Sequence, residues 1–190
     1  QAATGYLAAA YHDFPSRKLT IVGVTGTNGK TTTTHLLYSI LQQQYRVGYI
    51  STIAYYDGQS DGDTGLHVTT PGAPRIQAIL AQMVRNGLTH AVLEVTSHGL
   101  AQHRLSAVDV DVAVLTNVTH EHLDFHGSFE NYRAAKAMLF EMLASSARKA
   151  DQVKGSVINR DDPSYDFFAA IASDQMLGYS IQQQADYSAQ

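Results

Sequence analysis

The stretch Val24–Thr34, VTGTNGKTTTT, limits the fold of this chain more than any other segment. Four consecutive β-branched threonines suit a free-standing helix poorly, and a strand interior does not tolerate Gly26 and Gly29 so close together. The flanks resolve the conflict. Lys18–Val24, KLTIVGV, is a short β-rich apolar run, and after the glycines Leu36, Leu37, Ile40 and Leu41 recur at helical spacing. A strand that passes through a glycine turn into a helix is the setting in which backbone N–H groups wrap a phosphate. Glycine removes the obstructing Cβ atoms, and the helix N-terminus adds partial positive charge. In that setting Lys30 reaches the outer phosphates of a nucleoside triphosphate, and the hydroxyl of Thr31 or Thr32 ligates Mg²⁺. The strict pattern has glycine at position 24; this chain has Val24 there, with Gly23 one residue early. The threonines cost the helix about 1–2 kcal/mol in total, which one well-placed phosphate contact offsets.

The remaining periodicity extends this unit into an alternating α/β chain. Tyr45–Thr52 reads as a second strand, followed by the polar, glycine-rich YYDGQSDGDTG as a hairpin or loop. A helix carries Ile76, Ile79, Leu80, Met83 and Val84 on one face and stops at Gly87. Thr89–Val95 and Val110–Asn117 are nearly continuous apolar runs, as strands covered on both faces require. A further helix spans about Ser128 to Ser146, and GSVIN, DDPSYDFFAAIA and MLGYSI add strand, helix and strand. The expected fold is a three-layer α/β/α domain of the P-loop type around a mainly parallel sheet. No internal repeat, linker or domain boundary interrupts the 190 residues.

Composition excludes several classes. A net charge of −4 lacks the basic face that a broad nucleic-acid footprint needs. With no cysteine there is neither a disulfide framework nor a thiolate zinc site, which fits a cytoplasmic protein. No apolar run reaches membrane-spanning length, and the opening residues lack the basic-then-apolar pattern of a signal peptide.

Three further features carry chemistry. Glu94 sits near the C-terminal end of a buried strand, the edge at which open α/β sheets bind ligands. It is either a Mg²⁺ ligand or a solvated strand-end carboxylate. Thr116–Gly127, TNVTHEHLDFHG, packs three histidines and two carboxylates into one loop, and spacing alone leaves metal site, general base and polar loop open. On the following helix Phe129, Tyr132, Leu139, Phe140 and Leu143 form an apolar stripe with Lys136 in its middle. Either Lys136 snorkels to solvent, or it is buried with a depressed pKa and reacts with CO₂ to give a carbamate, an anionic metal ligand.

GVTGTNGKTTT, TTPGAP, LEVTSHGLAQHRL, TNVTHEHLDFHGSFENYRAAKAMLF and INRDDP, taken together and in order, resemble the central ATP-binding domain of the Mur ligases, most closely of the MurE type. The resemblance covers nearly the whole chain. It implies an ATP-dependent amide ligase that activates the D-glutamate carboxylate of UDP-MurNAc-L-Ala-D-Glu as an acyl phosphate and joins it to an amino acid. It implies that Gly26, Thr27, Asn28, Gly29, Lys30, Thr31, Thr32 and Asn117 hold ATP. Thr31, Glu94, His122 and a carbamylated Lys136 are implied to hold Mg²⁺, with Lys30, Glu94, His122 and Lys136 as the catalytic group. Thr69, Thr70, Ser97, Gln102 and Arg104 match positions that contact the muramoyl-peptide substrate. Residues 1–190 then correspond to the central domain, with a uridine-nucleotide domain expected before it and an amino-acid-binding domain after it, and the domain alone is not expected to complete the ligation. Two departures stand out: HEHLD replaces the common RDHLD, through His120 and Glu121, and Val68 replaces an asparagine found before the threonine pair in some members. Folylpolyglutamate and cyanophycin synthetases are the alternatives within the wider superfamily; TTPGAP and SHGLAQHRL favour the muramoyl-peptide type.

Overall fold

The computed structural model describes residues 2–64, 70–121, 123–150 and 152–188. Its centre is β1 (Thr20–Thr25), the apolar run that leads into the glycine loop and α2 (Lys30–Leu41). Around it lies a nine-stranded sheet in the order β4-β3-β2-β5-β1-β6-β7-β8-β9. β1 pairs in parallel with β5 (His90–Glu94) on one side and β6 (Val112–Leu115) on the other. β2 (Val47–Ile50) extends the sheet in parallel beyond β5. The glycine-rich segment after it forms the antiparallel hairpin β3 (Tyr55–Tyr56) and β4 (Asp61–Gly62). Beyond β6 run β7 (Gly155–Asn159), β8 (Gln175–Ser180) and β9 (Tyr187–Ser188), all parallel. The sheet is therefore mainly parallel, as the continuous apolar runs require.

Alternation along β1 divides the core. Ile21 enters a large cluster with Ile76, Leu80 and Met83 of α3 (Ala73–Arg85) and Leu139, Phe140 and Leu143 of α6 (Phe129–Ser145). Val22 and Val24 face the other way, onto Val47, Tyr49, Val92 and Val114, beneath Leu37 and Leu41 of α2. Leu36 and Ile40, counted in the same helical stripe, point outward at 57% and 66% exposure. Helices thus cover both faces, and the C-terminal ends of β1, β5 and β6 open side by side where strand order reverses about β1.

Several short elements have no sequence counterpart above. α1 (Ala2–Tyr11) and a 3₁₀ turn, Pro15–Lys18, precede β1, and the alanine-rich α1 packs on α3 without a clear apolar period. α4 (Ser97–Ala101) and α5 (Leu123–His126) span only one turn or so, too little for periodicity to register, whereas α7 (Tyr165–Ala169) falls within the helix expected from DDPSYDFFAAIA. Among the described residues no helix is long and apolar enough to cross a membrane.

At the opposite, N-terminal edge of the sheet a charged cluster is sealed into the core. Asp111 and Lys154 are 1% and 2% exposed. Lys154 Nζ donates to Asp111 Oδ1 at 2.9 Å, to the Val110 carbonyl at 2.7 Å and to the Ala147 carbonyl at 2.9 Å. The other oxygen of Asp111 accepts from Lys149 Nζ and, at 2.8 Å, from the Ile21 N–H. One carboxylate thereby ties together the starts of β1, β6 and β7 and the segment after α6.

Candidate functional site

The glycine loop leaves β1 at Thr25 and is held against the end of β6. Gly26 has φ of 153°, and a Cβ there would lie 1.8 Å from Thr116 Oγ1, so the close approach excludes any side chain. Gly29, at φ 81°, supplies the left-handed turn that starts α2. The Thr27 N–H donates to the Asn117 carbonyl at 2.7 Å. The Asn28 N–H donates to Asn117 Oδ1, and Asn117 Nδ2 returns a bond to the Asn28 carbonyl, both at 3.0 Å. Thr116 Oγ1 donates to that carbonyl at 2.7 Å. Lys30 Nζ donates to the Thr27 carbonyl at 2.7 Å. Its pKa is lowered by burial, against the opposing pull of Glu94 and Glu121. Thr32 is exposed on the first turn of α2, whereas Thr31 is turned onto Glu94.

Glu94 ends β5 and is 3% exposed, so it is not a solvated strand-end carboxylate. Its two oxygens lie 3.1 and 3.0 Å from the Thr31 hydroxyl. Thr52, in the loop after β2, donates to it twice, from Oγ1 at 2.7 Å and from its N–H at 2.9 Å. Sequence reading passed over Thr52, which is 42 residues away and carries no motif. Among the described residues no group of three His, Asp or Glu side chains converges on one point. The Thr31 hydroxyl beside the Glu94 carboxylate is nonetheless a hard-oxygen pair of the kind Mg²⁺ accepts while keeping several waters.

Lys136 does not snorkel. It is 1% exposed, its Nζ donates to the Gly26 carbonyl at 2.7 Å, and it stands 4.3 Å from the centroid of the Tyr132 ring. Burial, helped by the nearby Lys30 charge and opposed by Glu121, pushes its pKa down to about 7. Tyr132 is itself buried and shares a 3.0 Å hydrogen bond with Thr27 Oγ1. The apolar stripe of α6 thus delivers its one cation to the backbone of the phosphate-type loop.

A second network lies where β5 runs on into α4. Thr96 caps α4, its Oγ1 accepting from the Gly99 N–H at 3.0 Å and pairing with Thr70 Oγ1 at 2.9 Å. Arg104 donates to the Thr70 carbonyl and to Gln102 Oε1, both at 2.6 Å. Ser97, buried at the first position of α4, has its Oγ 3.1 Å from His126 Nε2. Thr70, Gln102 and Arg104 are therefore one connected group, and Ser97 joins it through α4. Gly26, Thr27, Asn28, Lys30, Thr31, Glu94, Asn117 and Lys136 form the other. Only Thr96 and Val95 separate Ser97 from Glu94 along the chain. Thr69 and His122 lie outside the described residues.

Comparison with known proteins sets this geometry in context. A family model for the Mur ligase middle domain matches residues 24–190. A UDP-N-acetylmuramoyl-L-alanyl-D-glutamate–2,6-diaminopimelate ligase of Gloeobacter violaceus is 49% identical over 181 residues, covering 95% of this chain and 35% of that protein. A UDP-N-acetylmuramyl-tripeptide synthetase of a Roseiflexus species is 44% identical over 192 residues, covering 97% of this chain and 38% of that protein. A solved structure of a UDP-N-acetylmuramoyl-L-alanyl-D-glutamate–2,6-diaminopimelate ligase superposes with a TM-score of 0.72 at 36% identity, covering 90% of this chain and 34% of that one. The chain spans about a third of the length of the relatives it matches.

Proposed function

The chain belongs to the Mur ligase middle-domain family, and from that premise we propose that it is the ATP-binding part of a ligase acting on UDP-MurNAc-L-Ala-D-Glu. The observation that supports this most directly is the meeting of two networks on one continuous segment, where β5 runs into α4. Glu94, on the loop side, and Ser97, on the Thr70–Arg104 side, bring a phosphate-binding backbone next to a second polar recess.

In this reading the loop from Gly26 to Thr32, with Asn117 bracing it, holds the ATP phosphates. Lys30 moves from the Thr27 carbonyl to the outer phosphates. Arg104, already oriented by Thr70 and Gln102, pairs with a carboxylate of the acceptor, as guanidinium geometry favours. Thr69, Thr70 and Ser97 complete the acceptor contacts. The D-glutamate carboxylate oxygen attacks the γ-phosphorus, the bond to the β-phosphate oxygen breaks, and ADP leaves an acyl phosphate. The amine of the third amino acid then adds to the acyl carbon, and the tetrahedral intermediate expels phosphate as the amide forms. That amine is supplied from outside this domain, and the ligation takes place in the cytoplasm.

Thr31, Glu94, His122 and Lys136 are the residues that would hold Mg²⁺. When bound, the ion supplies neutralisation of phosphate charge in the transition state. Lys136 joins that set as a carbamate: its neutral amine attacks CO₂, the N–C bond forms, and a proton passes to solvent. A pKa of about 7 keeps a substantial neutral fraction available for that step.

The test is an assay of the full-length protein with ATP, UDP-MurNAc-L-Ala-D-Glu and either lysine or meso-diaminopimelate. The expected result is ADP release that depends on both the dipeptide and one of the two amino acids. ADP release that requires a folate and glutamate instead, with the muramoyl dipeptide ignored, overturns the assignment.

A further inference from the structure

His126 links the two halves of the site, and none of the roles above uses it. It ends α5, and its Nε2 lies 3.1 Å from the buried Oγ of Ser97. The backbone beneath the ring is fixed. Asn131 Nδ2 donates to the His126 carbonyl at 3.0 Å, Gly127 turns the chain at φ 77°, and Ser128 caps α6 by accepting from the Asn131 N–H. The ring packs against three others, its centroid 4.8 Å from that of Phe125, 5.3 Å from that of Tyr132 and 5.4 Å from that of His98. Tyr132 in turn holds Thr27 of the glycine loop through its hydroxyl and faces Lys136 with its ring. Contacts therefore run without a break from Thr27 through Tyr132 and His126 to Ser97.

A serine hydroxyl chooses among three staggered wells, and its proton turns freely within each. α4 is a single turn and cannot by itself dictate where Ser97 Oγ points. A rigid ring nitrogen at hydrogen-bond distance can. Resting on the ligase reading above, we propose that His126 is a positioning residue for the muramoyl-peptide acceptor, holding Ser97 Oγ in register with the phosphate loop.

The test uses the full-length protein with Ser97→Ala, His126→Ala, His126→Asn, His126→Gln and the Ser97→Ala/His126→Ala double variant. Calorimetry reads the Kd for UDP-MurNAc-L-Ala-D-Glu, and kinetics separate its KM from that of ATP. His126→Ala should weaken dipeptide binding by about 3–10-fold, the worth of one hydrogen bond, with the KM for ATP unchanged. Glutamine places its amide where Nε2 stood and should restore most of the affinity; asparagine stops short of Ser97 and should behave as alanine does. Its near-native size keeps the comparison open if the alanine variant fails to fold. The double variant should bind no more weakly than Ser97→Ala alone. Wild-type affinity in both His126→Ala and His126→Asn, additive losses in the double variant, or equal losses for ATP and dipeptide would each overturn the positioning role. A wild type that does not bind the muramoyl dipeptide at all overturns the ligase reading, and the inference falls with it.

Discussion

Lys136 and Lys154 are hidden to the same degree, at opposite edges of one sheet, and their surroundings differ completely. Lys154 meets an acceptor for each of its three protons: one carboxylate and two carbonyls. Lys136 has one carbonyl, the face of a tyrosine and a second cation nearby, and no salt bridge joins it to a carboxylate among the described residues. Burial alone therefore does not separate a lysine that fastens strands from one placed to react, the role proposed for Lys136. The count of acceptors around the ammonium does: a fully ligated lysine fastens strands, and an under-ligated one is left with a proton it readily gives up.

The largest effect should come from breaking the saturated end. Asp111→Ala leaves the buried Lys154 and the half-buried Lys149 without their shared carboxylate and should cost about 3–5 kcal/mol, read as a lower denaturation midpoint, while the folded fraction keeps its KM values. Unchanged stability would erase the contrast. Next is Lys136→Ala, expected to lower turnover of the full-length protein by about 100-fold or more, with partial recovery on adding short carboxylic acids. Full activity without rescue would remove Lys136 from the chemistry.

A smaller effect follows from the titration of Lys136. Below about pH 7 its amine is protonated in both folded and unfolded chains, so its contribution is constant. Between about 7 and the ordinary value of 10.5 the unfolded chain keeps a proton that the folded chain has released, so stability rises with pH. Against Lys136→Met, the wild type should gain about 1 kcal/mol per pH unit from roughly pH 7 to 9. A pH-independent difference would mean that the two lysines are equally well compensated. Smallest is Tyr132→Phe, which removes the hydroxyl from Thr27 and keeps the ring beneath Lys136. It should cost about 1 kcal/mol and leave the pH dependence in place; loss of that dependence would show that the hydroxyl, not burial, sets the state of Lys136.

The two ends also differ in how far they could be read from residues alone. Lys136 was visible because a cation inside an apolar stripe at 3.6 spacing breaks a periodic rule, and helix geometry is local. Asp111 breaks the apolar run of β6 in the same way, yet its partners sit 38 and 43 residues later, in segments whose relation to it only the folded sheet establishes. Thr52 was silent for a similar reason: a threonine after a strand is ordinary until parallel pairing of β2 with β5 sets it against Glu94. The strand–loop–helix unit, the parallel sheet and the glycine-rich hairpin were legible from short-range patterning. α4 and α5 were not, because one helical turn leaves no period to detect, so His126 was visible as one of three loop histidines but not as the partner of Ser97.

The glycine loop is a run of neighbouring residues, but its braces arrive late. Asn117, Tyr132 and Lys136 stand 89, 105 and 110 residues beyond the loop residues they hold. A ribosome adds about 5–20 residues per second, so the loop exists for several seconds before the groups that shape it have been synthesised. Through the first part of that interval β1 has neither β5 nor β6 beside it, and until Asn117 follows β6 the loop lacks the geometry seen here. In the ligase reading, nucleotide can therefore stabilise this domain only once those late braces are in place.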